Sequence, residues 1–145
     1  MCKRWSTPSR LALPSRATTA HRSTTTALSA PVADVLQAFK LTNGLLSTAP
    51  TSTSPEAYPY PGGALAISAS GSSNGLRWAV HKNGTAPGTL RVYDAGSLTS
   101  ELYNSDQTGA RDTLDVATKF SIPLVVNGKV FVASSSRLTI YGLLP

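Results

Sequence analysis

The sequence contains a single cysteine, Cys2, which excludes an internal disulfide framework and a cluster of thiolate metal ligands. It also has no long apolar run, and nothing in it approaches the roughly 18–20 consecutive apolar residues that a membrane helix needs. After residue 33 the only histidine is His81. A protein metal site normally uses about three side-chain ligands, so we expect no metal site. Because the sequence has no long apolar run, we also expect no membrane span.

Acidic residues are absent from the first part of the chain. Residues 1–33, here called the leader, hold five of the thirteen Lys and Arg residues and no Asp or Glu. Residues 34–145, the body, hold eight bases and seven acids. The strong positive charge is therefore a property of the leader. A nearly neutral body with scattered bases does not favour specific nucleic-acid binding.

Apolar residues are scarce in the leader, which is rich in Ser, Thr, Arg and Pro. Too little apolar surface is available to offset the entropy of ordering the chain, so the leader is predicted to be disordered. Its longest apolar run before Pro31, at 11–13, is too short for a secretory signal. Two alternatives stay open: a transit peptide, whose composition fits although no amphipathic helix is visible, and a segment that is not native to the body. The localisation is not determined.

The body lacks any sustained helical periodicity and is predicted to be all-β. Residues 47–62 contain four prolines, and since proline cannot donate to a sheet ladder, they are predicted to form an extended connector. Asn127 and Gly128 stand between two apolar runs and are a strong signal for a hairpin turn. The predicted strands lie at 35–41, 64–69, 76–81, 90–93, 98–103, 120–126, 129–133 and 138–141.

One pattern of strands and turns occurs twice in the body. An apolar strand, a turn rich in Gly or Ser and a second strand end once in Tyr93 and again in Tyr141, 48 positions later. Four-stranded units that repeat every ~40–50 residues are typical of β-propeller blades. We therefore expect antiparallel four-stranded blades: the end of one blade at the start of the body, one complete blade at about 64–103 and a last partial blade at about 119–143.

These segments resemble a known family. The pattern PLVVNGKVFVASSSRLTIYG is similar to the last blade of the PQQ-like, quinoprotein-type propellers. The strings GLRWAVHK and TLRVYDAGSLTSELYNSDQTGARDT resemble the penultimate blade of large secreted bacterial proteins of that group. The resemblance covers residues 34–145. It implies that the chain is the C-terminal fragment of a longer propeller, from a family whose members are typically secreted or periplasmic.

Several residues are predicted to have structural roles in turns or in packing. Asp94 first suggests a catalytic acid, but an aspartate in such a turn commonly bonds its own backbone two residues on. Trp78 shares one face of a partly alternating strand with Leu76 and Val80, which favours packing. Tyr93 and Tyr141 occupy equivalent repeat positions, which also favours packing over ligand contact. The predicted structural residues are Trp78, Tyr93, Asp94, Asn127, Gly128 and Tyr141.

The remaining polar residues form no catalytic pattern. A Ser-His-Asp arrangement needs a base beside the nucleophile, and no spacing links His81 to the serines at 134–136. His81 is predicted to be a solvated residue at a strand edge. Arg111 and Asp112 are predicted to form a surface ion pair of little energetic weight. We expect no catalytic, cofactor-binding or metal-binding residues in this chain. This favours a non-enzymatic protein, although the sequence leaves the question of an enzyme open.

The resemblance implies a non-catalytic propeller segment that acts as a structural scaffold or as a protein-interaction surface, with other blades or proteins as partners. A first alternative is the remnant of a quinoprotein-type oxidoreductase whose PQQ and calcium site lies in other blades. A second is a small module that binds a carbohydrate or another ligand through exposed aromatics such as Tyr58, Tyr60 and Trp78. Because two blades leave unpaired strands at both sides, edge-to-edge self-association is also expected.

Overall fold

A computed structural model describes residues 2–5, 25–28, 34–71 and 73–143. These residues form twelve β-strands and one 3₁₀ turn at Gly109–Arg111, and they contain no α-helix. The prediction of an all-β chain with antiparallel sheets is therefore confirmed. In chain order the strands are β1 (Cys2–Trp5), β2 (Thr25–Leu28), β3 (Asp34–Thr42), β4 (Leu45–Leu46), β5 (Ser52–Tyr58), β6 (Ala64–Ser70), β7 (Ser73–Asn83), β8 (Ala86–Asp94), β9 (Ser97–Asn104), β10 (Leu124–Val126), β11 (Lys129–Ala133) and β12 (Leu138–Leu143).

The strands form three four-stranded sheets. In the central sheet, β6, β7, β8 and β9 follow one another, and each pairs antiparallel with the next along the chain. The C-terminal sheet has the order β1-β12-β11-β10, in which β1 and β12 run parallel. In the N-terminal sheet, β3 pairs antiparallel with β2, β4 and β5.

The side chains of β7 alternate between the two faces of the central sheet, and each face contributes to a buried core. Leu76, Trp78 and Val80 project to one face and pack there in a core shared with the C-terminal sheet. Ala79 projects to the other face, where it packs with Tyr93 in a core shared with the N-terminal sheet. Apolar side chains are stabilised when they are removed from water. The two neighbouring sheets therefore cover the central sheet on both faces.

Two cores hold the three sheets in a stack. The first core lies between the central and C-terminal sheets, where Val130, Val132 and Tyr141 meet the central strands. The second core lies between the central and N-terminal sheets, where Leu36 and Tyr58 meet the opposite face. This face-to-face packing of sheets places the central sheet in the middle of the stack.

The connector predicted at 47–62 is wrong for Ser52–Tyr58, because β5 pairs with β3 there. The prolines argued against a strand, but Pro55 lies where the register between β3 and β5 shifts. A bulge leaves residues out of the ladder, so it tolerates a proline without the loss of a hydrogen bond.

The hairpin of β10 and β11 is shorter than predicted. The strand expected at 120–126 begins only at Leu124. Phe120 has a φ of 63°, which turns the chain, and Pro123 has no N–H to give to a ladder. Across the hairpin, Asn127 and Gly128 have φ values of 49° and 69°, as a type I′ turn requires.

The predicted disorder of the leader concerns positions that mostly lie outside the described residues. Two four-residue segments of the leader are described: β1 pairs with β12, and β2 pairs antiparallel with β3. The edge strand of a sheet has unpaired backbone N–H and C=O groups. A four-residue strand such as β1 or β2 can form hydrogen bonds with some of these groups. The C-terminal and N-terminal sheets thus each include residues from before position 34.

Candidate functional site

Polar side chains meet in the second core, between the N-terminal and central sheets. Glu56, Tyr58, Arg91, Tyr93 and Glu101 are here called the glutamate–arginine cluster. Arg91 Nη1 donates to Glu101 Oε1 at 2.6 Å and to Glu56 Oε1 at 3.0 Å. Because Glu56 belongs to β5, whereas Arg91 and Glu101 belong to β8 and β9, the cluster joins two sheets.

The two tyrosines extend this cluster into the apolar core. The Tyr93 hydroxyl donates to Glu56 Oε2 at 2.8 Å. Its oxygen also lies 2.8 Å from the Tyr58 hydroxyl. Since the Tyr93 proton is already given to Glu56, the Tyr58 hydroxyl is the donor in this second bond. Each carboxylate oxygen of Glu56 therefore accepts one hydrogen bond from the central sheet.

Burial and neighbouring charges fix the protonation of the buried cluster members. Burial raises the pKa of both Tyr93 and Tyr58 well above the usual value of a tyrosine. Burial alone would lower the pKa of Arg91, but the hydrogen bond and charge of Glu101 and the charge of Glu56 raise it instead. Arg91 is therefore a fixed cation, and neither tyrosine serves as an acid or base near pH 7.

His81 lies beside this cluster and not in free solvent. Its ring packs edge-on against Tyr58, with 5.1 Å between the ring centres. Its Nε2 lies 3.1 Å from the carbonyl oxygen of Ala57, and because a carbonyl only accepts, Nε2 carries the proton. Burial lowers the pKa of His81, although the bond to Ala57 opposes this shift. His81 is therefore partly exposed and contacts two residues of β5, Ala57 and Tyr58.

A second polar group, here called the Asp112 cluster, consists of Tyr103, Arg111, Asp112 and Tyr141. The Asp112 side chain is 0% exposed. It accepts two hydrogen bonds from Arg111, at 2.8 and 2.9 Å, and one from the Tyr103 hydroxyl at 2.8 Å. The Tyr141 hydroxyl donates to the Asp112 carbonyl at 3.0 Å. The prediction of a surface ion pair is therefore wrong for Asp112, which links β9 and β12 through the segment between the sheets.

The pKa of Asp112 lies below its usual range. Burial alone would raise this pKa, but hydrogen bonds from Arg111 and Tyr103 favour the charged form and lower it. A carboxyl whose pKa is lower in the folded than in the unfolded chain stabilises the fold above the unfolded pKa of about 3.9. This stabilisation is lost as the pH falls through the folded pKa, so part of the acid sensitivity is expected to come from Asp112.

Replacing Asp112 with asparagine is expected to lower the free energy of unfolding by about 1–3 kcal/mol at neutral pH, because a buried acceptor of charged hydrogen bonds is lost. The variant should then lose less stability than the wild type between about pH 5 and pH 2, as it has no carboxylate to protonate at this site. Urea unfolding across this range measures both effects. Asp34→Asn, in which asparagine can still accept the hydrogen bond from the Val35 backbone N–H, is the control. An acid profile unchanged by Asp112→Asn would contradict the assigned role.

Asp94 closes β8 at the turn into β9. Its Oδ1 accepts a hydrogen bond from the Gly96 backbone N–H at 2.6 Å. The Ala95 N–H donates to the Gly75 carbonyl at 2.9 Å, and a Cβ added at Gly75 would lie only 2.6 Å from the Ala95 Cβ. The turn therefore packs closely on β7, and the Asp94 carboxylate satisfies one of its N–H groups.

The serine-rich turn after β11 uses its hydroxyls within the fold. Ser134 Oγ donates to the Arg137 carbonyl at 2.7 Å, and Ser136 Oγ donates to the Asp115 carboxylate. This second bond is the main reason why the pKa of Asp115 lies below its usual range. Among the described residues no hydrogen bond links His81 to a serine or an aspartate.

Arg77 is a buried cation that the sequence reasoning missed. It is 1% exposed and lies opposite Tyr93 in the ladder of β7 and β8. Its Nε and Nη1 atoms have no hydrogen-bond partner in the described part of the chain. Burial lowers the pKa of Arg77, and the charge of Asp94 opposes this shift. The alternation of β7 places Arg77 on the same face as Ala79, but only the tertiary structure covers that face.

The aromatic residues on which the carbohydrate-binding alternative depends are mostly buried. Trp78 is 0% and Tyr58 1% exposed, and Trp78 Nε1 donates to Ser68 Oγ at 2.8 Å. Tyr60 is 54% exposed, with Lys119 Nζ 4.9 Å from its ring centre. The sheets stack on both Trp78 and Tyr58, which agrees with the packing role predicted for Trp78. Of the three aromatic residues named for the carbohydrate-binding alternative, only Tyr60 is exposed.

The described segments bring together no group of three or more His, Cys, Asp and Glu side chains that could hold a metal ion. They also contain no helix long and apolar enough to cross a membrane.

No family model, no curated protein and no solved structure matches the chain. The fold and its polar clusters define a class of protein: an all-β chain of three stacked sheets whose buried ionisable side chains join neighbouring elements.

Proposed function

We propose that the chain is a non-catalytic structural module, a segment of a PQQ-like β-propeller that serves as a scaffold or as a protein-interaction surface. The observation that carries the proposal is the stack of three four-stranded sheets with an apolar face left open at its C-terminal end. Four consecutive antiparallel strands, as in β6 to β9, are the usual arrangement of a propeller blade.

The polar clusters support a structural role for the ionisable side chains. Arg91 is shared between Glu56 and Glu101, and Asp112 accepts bonds from two side chains. A catalytic group has to reach a substrate in a cleft, with some of its bonding capacity left for that substrate. In these clusters the carboxylates accept hydrogen bonds from other residues of the same fold.

The open face belongs to the C-terminal sheet. Its exposed members are Leu124 and Leu138, which are 61% and 52% exposed, together with Val126 and with Ile122, which directly precedes the strand β10. We call these four residues the outer C-terminal face. Contiguous exposed apolar patches of several hundred Å² mark interaction sites in soluble proteins. A blade that docks on a neighbouring blade or on another protein requires a surface of this kind.

Replacing Leu124 and Leu138 together with lysine is expected to weaken self-association of the full chain more than tenfold, because each buried leucine contributes about 1.5–3 kcal/mol. Sedimentation velocity measures the association, and far-ultraviolet circular dichroism shows that the strands are kept. Ile67→Lys is the matched control, since Ile67 is also exposed but belongs to the central sheet, which is covered on both faces. A wild-type chain that stays monomeric and melts cooperatively at every concentration would contradict the proposal.

A further inference from the structure

Arg77 is a buried cation whose donors find no acceptor in the described part of the chain. It lies on the face of β7 that it shares with Ala79, a member of the second core, and it is 1% exposed. Its Nε and Nη1 atoms form no hydrogen bond with any described residue. In folded proteins a buried polar atom of this kind is usually satisfied by a bound water molecule or by an ion.

The carboxylates of the body are engaged elsewhere. Four of the seven acidic residues pair with arginines other than Arg77, and these are Glu56, Glu101, Asp112 and Asp115. The other three accept a hydrogen bond from a backbone N–H or a threonine hydroxyl, and these are Asp34, Asp94 and Asp106. Among the described residues, no carboxylate therefore forms an ion pair with Arg77.

Arg91 shows what Arg77 lacks. The Nε atom of Arg91 is also buried without a partner, but its Nη1 atom donates to two carboxylates, which compensate its charge. The charge of Asp94 acts on Arg77, yet Asp94 is exposed and its Oδ1 accepts the hydrogen bond of the Gly96 N–H. Arg77 thus has a distant, solvated counter-charge where Arg91 has two direct ones.

The charge of Arg77 decides between a water molecule and an ion. An arginine stays protonated in a folded protein, so Arg77 cannot become neutral to avoid the cost of burial. Removing an uncompensated charge from water costs far more than removing a neutral polar group. A water molecule would satisfy a donor without compensating the charge, whereas an anion does both.

The surroundings of Arg77 favour a small monovalent anion. Ile67 and Tyr93 lie directly opposite Arg77 in the two neighbouring strands, and cross-strand partners share one face of a sheet. Ile67 belongs to the edge strand β6 and is 44% exposed, so water comes within one side chain of Arg77. A divalent anion would lose more hydration on entering this interior, and the charge of Asp94 would repel it more strongly.

We infer that Arg77 binds a small monovalent anion of the size of chloride, which accepts a hydrogen bond from the buried guanidinium and compensates its charge. The inference is independent of the proposed function, since Arg77 faces the second core and not the outer C-terminal face. Because the central and N-terminal sheets meet at this core, the bound anion stabilises the contact between them. An anion that binds the folded chain alone increases the stability with its concentration.

Thermal unfolding of the full chain tests the inference. The chain is melted in sodium gluconate, whose anion is too large for a buried site, and chloride replaces gluconate stepwise at constant ionic strength. Above the dissociation constant, each tenfold rise in chloride is expected to raise the melting temperature of the wild type by about 5 °C. Arg77→Met should show no such rise. In gluconate alone it should melt at or above the wild type, because an apolar side chain replaces an uncompensated charge.

Two variants separate this site from general effects of salt. Arg77→Lys keeps the charge and should keep part of the chloride dependence. Arg137→Met removes an exposed arginine and should keep all of it, which controls for chloride held by other cations. The excess line width of the chloride NMR signal reports binding directly, and it should fall in Arg77→Met but not in Arg137→Met.

Each outcome decides on the anion without deciding on the proposed function. A chloride-dependent rise that Arg77→Met abolishes and Arg137→Met keeps supports the inference. A wild-type melting temperature independent of chloride would overturn it, and so would an equal rise in the wild type and in Arg77→Met. If Arg77→Met does not fold, the comparison is made with Arg77→Lys. A smaller chloride dependence than that of Arg137→Met then supports the inference, and an equal one contradicts it.

Discussion

Replacing Trp78 with alanine is expected to lower the free energy of unfolding by about 3–5 kcal/mol, the usual cost of removing a large buried aromatic. Trp78 is fully buried in the first core, and its Nε1 satisfies Ser68 Oγ, which is itself buried. A loss of this size is a large part of the roughly 5–15 kcal/mol that stabilises a typical domain. Urea unfolding followed by circular dichroism measures the change.

Two further variants keep this prediction testable if the alanine variant does not fold. Trp78→Phe preserves most of the packing but leaves Ser68 Oγ without its donor, so a smaller loss of about 1–2 kcal/mol is expected. Tyr60→Ala removes an exposed ring and should change the stability by less than about 0.5 kcal/mol. Similar losses for Trp78→Ala and Tyr60→Ala would contradict the stacking of the C-terminal sheet on the central sheet.

Replacing Arg91 with methionine is expected to lower the free energy of unfolding by about 2–3 kcal/mol. The substitution leaves Glu56 and Glu101 as two neighbouring carboxylates without their shared cation. Removal of one partner of a fully buried ion pair costs about 3–5 kcal/mol, and the partial exposure of these side chains reduces this figure. Because Glu56 lies in β5, the loss should fall mainly on the contact between the N-terminal and central sheets.

A double-mutant cycle isolates the contribution of this ion pair. Glu56→Gln keeps an acceptor for the Tyr93 hydroxyl but removes the charge that faces Arg91. If the pair couples the sheets, the two substitutions together should cost less than the sum of their separate costs by about 1 kcal/mol or more. Arg137→Met, whose ion pair with Asp115 is exposed and 4.0 Å long, is the control and should cost less than about 0.5 kcal/mol. If the effects of the two substitutions on the free energy of unfolding are additive, the ion pair between Arg91 and Glu56 contributes no coupling energy.

Local patterns in the sequence predict the class of the fold and much of the central sheet. The alternation at 76–81 places Trp78 and Ala79 on opposite faces, and the structure buries them in different cores. This works because a strand fixes side-chain direction through its two-residue period, which depends on the backbone alone. The strand that follows Pro50 was missed because its proline falls in a bulge, and a bulge is set by pairing with β3.

The polar clusters could not be predicted in the same way. Glu56 and Arg91 are 35 positions apart and meet only because the N-terminal sheet folds onto the central sheet. Arg111 and Asp112 are neighbours in the chain, and nothing local distinguishes a surface pair from the buried carboxylate that the structure shows. The burial of Arg77 likewise depends on which sheet covers its face. These features depend on tertiary contacts, which the local periodicity of the sequence does not predict.

The molar mass of the full chain in solution is the most direct test of the proposed interaction surface, because the exposed apolar face of the C-terminal sheet requires a partner to cover it. Light scattering across a wide dilution series measures this mass. The account predicts a mass above the 15.1 kDa of one chain at high concentration, and a fall towards 15.1 kDa on dilution or in the Leu124→Lys, Leu138→Lys variant. A mass of 15.1 kDa at every concentration, together with cooperative melting of the wild type, would contradict it.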